Sequence, residues 1–330
     1  MQQILNDMKL IEFAKRFTDE SSCERHLREV REREGVVCAH CGCKAHSWDS
    51  YNKRWRCKKC GHETTLTSGT VMHGSKLPLM YWFTAIHLLT STKKTFSALE
   101  MQRQLGHKRY QPIWEMMHKL RSVMGLRDGR YKLSGSIELD EGYFSSDNEV
   151  SPDERVKSGV GSQKKSKVLV MTESGPCAAP KKGKRDRKVG HIKMQVIEDL
   201  SAATINAGVE QAVDGGTAVT ADNAGGHRRL SQVVDDPDIQ TVPGEDAAKV
   251  LPWVHVAIGN AKKLLDDMYH GVKGKYLQRY LDEFCYKFNR KYFGDRLFDR
   301  LMVCAVSYRP TFEHQLYKSK IITGLSGDCG

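Results

Sequence analysis

The stretch SGSIELDEGYF, residues 134–144, decides the fold class. A Ser-Gly turn leads into alternating apolar and polar residues that end in the adjacent acids Asp140 and Glu141. Alternate residues of a strand share a face, so Glu138 and Asp140 point one way and Glu141 the other. An acid at the end of a buried strand is costly unless it is paired or meets a cation.

Downstream, KVLVMTE (167–173) and HIKMQVIED (191–199) read as two more strands, separated by the basic insert GPCAAPKKGKRDRKVG. SAATINAGVEQAV (201–213) reads as a helix capped by Ser201, and GTAVTADN and DIQTVPG as a fourth and a fifth strand. LPWVHVAIG (251–259) reads as a strand-like lead into a helix that begins near Asn260. Strands in hairpin order followed by a helix, two strands and a helix predict an α/β fold with a mixed sheet.

In AVTADNAGG (218–226), Asp222 closes an apolar strand just before a glycine turn. Asp140 and Asp222 can therefore meet on neighbouring strands and hold Mg²⁺ or Mn²⁺, hard ions that prefer oxygen. Two such ions would activate a water or a 3′-hydroxyl and stabilise the leaving oxygen of a phosphodiester. As caps or turn formers, the same residues would carry no chemistry.

Upstream of the sheet the pattern is helical. LPLMYWFTAIHLLTS (77–91) is amphipathic; Ser97 and Glu100 form a capping box for a helix that stops at Gly106; QPIWEMMHKLRSVMG has Pro112 in its first turn and Gly125 after its end. These proportions suit a helix-turn-helix with Lys108, Arg109, Lys119 and Arg121 towards DNA, and equally an ordinary three-helix bundle. Before it, Cys38 and Cys41, then Cys57 and Cys60, give CxxC, fifteen residues, CxxC, the spacing of a zinc ribbon. His40 and Cys43 stand close enough to substitute as ligands. Lys53, Arg54, Trp55, Arg56, Lys58 and Lys59 mix cations with an aromatic, as a nucleic-acid surface does, although ribbons also serve purely as folding staples. Residues 1–34 form a helical lead-in, with Met8, Ile11, Ala14 and Phe17 at helical spacing.

The chain of 330 residues has a formal net charge of +12. Between Arg155 and Lys193, twelve Lys and Arg face only Glu173 and Asp186, an excess of ten positive charges. Lys181, Lys182, Lys184 and Arg185 lie at its centre and suit DNA backbone, or else a solvated loop. No apolar run approaches the ~18 residues that a membrane helix needs, and the N-terminus lacks the order of a signal peptide, so a cytoplasmic location is expected.

Taken in order, CAHCG, RWRCKKCGHETTLTSGTVMHGSKLPLMYWFTAI, SALEMQRQLGHKRYQPIWEMMHKLRSVM, LSGSIELDEGYF, VTADNAGG and HGVKGKYLQRYLDEFCYKFNRK resemble bacterial insertion-sequence transposases of the DDE type with an N-terminal zinc ribbon. The resemblance covers roughly residues 20–305. It implies an RNase H-like catalytic domain over 131–305, after a ribbon at 35–75 and a helical DNA-binding region at 76–130, with a tail at 306–330. It also implies double-stranded DNA with terminal inverted repeats as partner, a homodimer or higher oligomer on that DNA, association with the nucleoid, and metal-dependent cleavage followed by strand transfer. Carried over by position, Asp140 and Asp222 are the first two catalytic acids, and Asn260, 38 positions after Asp222, stands where many relatives have Glu. Lys263 or Lys262 matches the family's basic residue, with Lys263 preferred because it lies one turn on from Asn260. His255 is read as structural or as an added contact, and Glu283 as packing or pairing with Arg279 or Lys287, or else as a competing metal ligand. Two other functions fit the same parts: a catalytically inactive DNA-binding protein, and a zinc-ribbon nuclease without strand transfer.

Overall fold

The computed structural model describes residues 8–146, 165–177, 186–240, 247–269 and 271–311. Two helices, α1 (Leu10–Arg16) and α2 (Glu20–Glu34), precede the short strands β1 (His46–Asp49), β2 (Arg54–Cys57) and β3 (Glu63–Thr65), which form an antiparallel sheet in that order. Helices α3 (Leu79–Ser91), α4 (Ala98–Leu105) and α5 (Tyr110–Asp128) follow. The second half contains β4 (Ser136–Ser145), β5 (Lys165–Pro176), β6 (Arg187–Ile197), α6 (Ala202–Ala212), β7 (Ala218–Asp222), β8 (Asp236–Gln240), α7 (Ala247–Val250), α8 (Pro252–Met268), α9 (Gly274–Asn289) and α10 (Leu297–Ser307).

The large sheet has the order β6-β5-β4-β7-β8, antiparallel through the first three strands and parallel through β4, β7 and β8. It is the mixed α/β sheet that the sequence predicts. One face packs Val168, Val170 and Phe144 against α8 and α9, and the other packs Leu139, Leu169 and Val219 against α6. Both faces are apolar because helices cover the sheet on both sides. A third core joins Phe13, Phe17, Leu27, Phe83, Met117 and Val123 to Phe298, Leu301 and Met302. The final helix, α10, is thus packed with the N-terminal helices.

Local rules account for several boundaries. The Ser97 hydroxyl accepts from the Glu100 amide at the start of α4, and Gly106 ends that helix at φ 64°, a left-handed conformation that glycine adopts without strain. Ser201 caps α6 by accepting from the Thr204 amide. Gly125, by contrast, ends no helix, because α5 continues to Asp128. A Cβ there would stand 2.5 Å from the Asp282 carboxylate of α9, so the glycine permits a close helix crossing.

Helix α8 begins at Pro252, not near Asn260 as the sequence suggests. Proline at the first helical position gives up no hydrogen bond, and the apolar run PWVHVAI covers the sheet as a helix. At Gly142 a Cβ would lie 2.8 Å from the Phe144 ring and 3.4 Å from Ile258, which shows how closely α8 lies on β4. The outer edge of β6 is covered by side-chain amides of α9. Gln278 accepts from Val196 N and donates to Met194 O, and Asn289 accepts from Ile192 N and donates to Ile192 O. Two helix residues take the place of a neighbouring strand and keep the edge from pairing elsewhere.

Candidate active site

The β4–β7 pairing runs in parallel from Ser136 with Ala218 to Leu139 with Ala221. Continued by one residue, this register sets Asp140 level with Asp222 at the carboxyl ends of adjacent strands, the crevice where α/β sheets hold their ligands. Burial pushes the Asp140 carboxyl up to about 6, with the charges of Glu141 and Asp222 adding to the rise and the Glu141 amide and His255 opposing it. Asp140 Oδ1 accepts from the Glu141 amide at 2.8 Å, while its Oδ2 lies 3.6 Å from His255 Nδ1. Asp222 is 41% exposed, and its Oδ1 accepts from Ala224 N at 3.1 Å.

Glu138 and Glu141 divide as strand alternation requires. Glu138, on the Asp140 side, is buried and accepts from the backbone amides of Trp253 (2.6 Å) and Val254 (2.9 Å). A carboxylate at the first turn of a helix satisfies orphan amides and complements the helix dipole, so Glu138 pins the start of α8 to β4. Glu141, on the opposite face, meets His227, a fully buried residue that follows the glycine turn. His227 Nε2 is 2.6 Å from Glu141 Oε1, and Nδ1 is 2.7 Å from Asp222 Oδ1. Burial disfavours the imidazolium, yet the hydrogen bond and charge of Glu141, with Asp222, raise its pKa to about 9.

With its start fixed by Glu138, α8 presents His255 to Asp140. Asn260 lies five residues on, about 140° around the helix, and is exposed. Lys262 is seven residues on, within about 20° of His255, and its ammonium lies 5.7 Å from the centre of the Phe144 ring on β4. Lys263 is exposed. The structure thus brings Asp140, Asp222 and His255 to one strand-end site, with Lys262 further along the same helix face, while Asn260 and Lys263 are exposed on α8.

The family model of the ISXO2-like transposase domain matches residues 132–289, the span that holds all of these residues. Over those residues the chain is similar to DDE-type, ISXO2-like transposase domains. A protein of Halobacterium salinarum, named only as an uncharacterised protein in the transposable element ISH50, is 29% identical over 138 residues, covering 39% of this chain and 43% of that relative. The chain thus matches less than half the length of this curated relative. That organism is an archaeon, so the match does not point to a bacterial source. Among solved structures, a pre-cleavage Mos1 transpososome is 13% identical over 70% of this chain and 80% of that one, with a TM-score of 0.28. The Mos1 mariner paired-end complex with Mn is 15% identical over 73% and 91%, with a TM-score of 0.29. Overlap at that level has no bearing on the site.

The donor set of the transposase domain fits a hard divalent ion. Such ions are held by one or two carboxylates, with waters and substrate phosphates completing the shell. Asp140 and Asp222 are such a pair, and the buried His255 Nε2 has no hydrogen-bond partner among the described residues. They form an open pair of acids, not a closed cage. Among the described residues, only Cys38, Cys41, Cys57 and Cys60 bring three or more His, Cys, Asp or Glu ligand atoms within 4.8 Å of one another.

Those four thiols fit zinc. Cys38 and Cys60 sulfurs lie 3.6 Å apart, as do those of Cys41 and Cys57, near the ~3.8 Å edge of a tetrahedron with Zn–S bonds of about 2.3 Å. The nine described cysteines are all free. Cys43 interacts with Ala45 outside this set.

Several expected DNA contacts are committed elsewhere. Trp55 is buried, donates its indole N–H to Glu32 and lies under Arg31, so it docks the ribbon on α2 and offers no face to a base. Lys53 pairs with Glu24 at 2.6 Å and Arg54 with Glu63 at 2.5 Å, while Arg56 and Lys58 are exposed. Lys108 and Arg109 are exposed before α5, but Arg121 is buried inside the protein against Glu283. Glu283 pairs chiefly with Arg121, with Lys287 at 3.9 Å, and Arg279 pairs with Asp282. Lys181, Lys182, Lys184 and Arg185 lie outside the described residues. No helix among the described residues is long and apolar enough to cross a membrane.

Sequence reasoning missed His227 as a partner of Asp222 and gave His255 a secondary place. Seven residues separate His255 from Lys262, two helical turns, so the two share a helix face. Reading that face required knowing that the helix starts at Pro252.

Proposed function

We propose that this protein is an insertion-element transposase that cleaves and joins DNA at terminal inverted repeats, with Asp140, Asp222 and His255 at its reacting centre. The observation that carries this reading is the parallel β4–β7 register, which aligns the two acids within the matched transposase domain. Asp140 and Asp222 would hold Mg²⁺ or Mn²⁺, which when bound neutralises phosphate charge and lowers the pKa of the attacking water or 3′-hydroxyl. Glu138 anchors α8 so that His255 stays against Asp140, with Nδ1 as the ring nitrogen that faces the carboxylate. Lys262, on the same face, is placed to meet a DNA phosphate as a point charge. The exposed Arg56, Lys58, Lys108 and Arg109, together with the basic insert, would supply backbone contacts that position the duplex. The four-cysteine ribbon would hold one structural zinc. Two DNA ends must meet for strand transfer, so assembly as a dimer or larger complex on DNA belongs to the proposal.

The test is a joining assay on DNA ends taken from the borders of the element, with Mg²⁺ or Mn²⁺. Asp140→Ala and Asp222→Ala should abolish both cleavage and joining, and His255→Ala should reduce both at least 100-fold while Asn260→Ala retains most of the activity. Loss in Asn260→Ala with full activity in His255→Ala would return the third position to Asn260. Cleavage without joining would make the protein a nuclease, and full activity in both aspartate variants would remove the two-acid site.

A further inference from the structure

Glu141 is adjacent to Asp140 yet points through the opposite face of the sheet, and it meets His227, which no expectation placed in the site. Both nitrogens of this buried ring face carboxylate oxygens: Nε2 faces Glu141 Oε1 at 2.6 Å, and Nδ1 faces Asp222 Oδ1 at 2.7 Å, with the Asp222 carbonyl at 3.1 Å. A ring placed this way donates at both ends. The turn is shaped to put it there, because a Cβ at Gly226 would stand 2.4 Å from the Ile205 side chain and 2.6 Å from the Leu200 carbonyl. Only glycine lets the chain dive under the sheet at that point and bury the next residue.

We infer that Glu141 and His227 form a positioning strut that holds Asp222 Oδ1 from behind and so leaves Oδ2 as the oxygen presented beside Asp140. The Ala224 amide, which also donates to Oδ1, works in the same direction. The strut ties the second acid to the strand that carries the first: Glu141 belongs to β4, Asp222 to β7, and His227 spans them. Without it, Asp222 would be free to rotate about its side-chain bonds. Outer partners of metal-binding carboxylates are worth about 10- to 100-fold in metal affinity. The inference rests on the two-acid reading of the site.

The experiment measures Mn²⁺ binding to the zinc-loaded full chain by electron paramagnetic resonance of free Mn²⁺, with no DNA present, and the thermal midpoint alongside. Glu141→Ala and His227→Ala approach the strut from opposite ends and should each raise the Mn²⁺ Kd about 10- to 100-fold. Glu141→Gln keeps an oxygen for the ring N–H to reach, is the variant least disturbing to the fold, and should stay within about threefold of the parent. Asp222→Ala is the reference. If Asp222→Ala lowers affinity but Glu141→Ala and His227→Ala do not, the strut is overturned and the two-acid site stands. If Glu141→Gln loses as much as Asp222→Ala, Glu141 is itself a ligand and the strut is also overturned. Unchanged affinity in Asp222→Ala overturns the two-acid site, and the strut with it.

Discussion

Replacing Arg121 by Met should destabilise the protein by about 3–5 kcal/mol, the range for breaking a buried ion pair from one side. Arg121 and Glu283 are 1% and 2% exposed, and Nε donates to Glu283 Oε2 at 2.8 Å. The guanidinium also donates to Tyr269 OH at 3.0 Å and Phe96 O at 3.3 Å, and lies 4.3 Å from the Tyr280 ring centre. Thr95 donates its hydroxyl to the other Glu283 oxygen. Two unit charges about 4 Å apart attract by about 4 kcal/mol at an effective dielectric of about 20, consistent with that range. Burial works against charge on Glu283, yet Arg121 and Lys287 hold its pKa below the usual glutamate value. In Arg121→Met that carboxylate would keep only Thr95 and the more distant Lys287.

Urea unfolding of Arg121→Met, Glu283→Gln and the double variant Arg121→Met/Glu283→Leu measures the coupling. Each single variant should lose several kcal/mol, and the double variant should lose no more than the worse single one, because an apolar pair leaves no charge stranded. A loss under about 1 kcal/mol in Arg121→Met would refute the reasoning, since removing one partner of a buried pair costs about 3–5 kcal/mol. Losses that simply add in the double variant would refute it too. Glu283→Gln should leave Mn²⁺ binding unchanged, which separates a core ion pair from a metal ligand.

Metal analysis should find one zinc per chain, and chelation or Cys57→Ser should release it and disrupt the small sheet. Trp48 and Trp55, with ring centres 4.7 Å apart, provide a fluorescence readout of that loss. His26, buried among Phe17, Phe83 and Phe298, has its pKa lowered to about 4, by burial first and then by Arg16 and Arg33. The unfolded chain therefore binds a proton below about 6.5 that the folded chain refuses. Stability tied to His26 is complete above pH 6.5 and falls as pH drops towards 4, by about 3 kcal/mol in all. His26→Leu should flatten that part of the pH profile, and equal slopes in parent and variant would count against it. Glu138→Gln should cost about 1–3 kcal/mol by weakening the anchor on the Trp253 and Val254 amides, with amide exchange in the first turn of α8 rising.

Much of the architecture was legible because it is written in local chemistry. The cysteine spacing specifies the four-thiol cluster, Ser97 and Gly106 mark the ends of α4, and the apolar strands with acids at their ends announce the mixed sheet. The helix of LPWVHVAIG was misread because seven apolar residues suit a strand or a helix equally, and its anchor, Glu138, lies 115 residues away along the chain. Gly125 looked like a stop signal for a similar reason. The close approach of Asp282, which requires a glycine there, is invisible until the helices are packed.

The sequence by itself determined which groups are available: two acids at strand ends, four thiols at zinc spacing, and an excess of basic residues. Each follows from spacing along the chain and the chemistry of the side chains. Tertiary structure alone decided which of these groups face one another. It buried Arg121 and Trp55, which the sequence suggested for DNA, set His255 against Asp140, and placed His227 behind Asp222. The reason is geometric: a helix turns about 100° per residue, so which of its residues faces the sheet depends on where the helix starts and what anchors it. Here Glu138, from a distant strand, sets both.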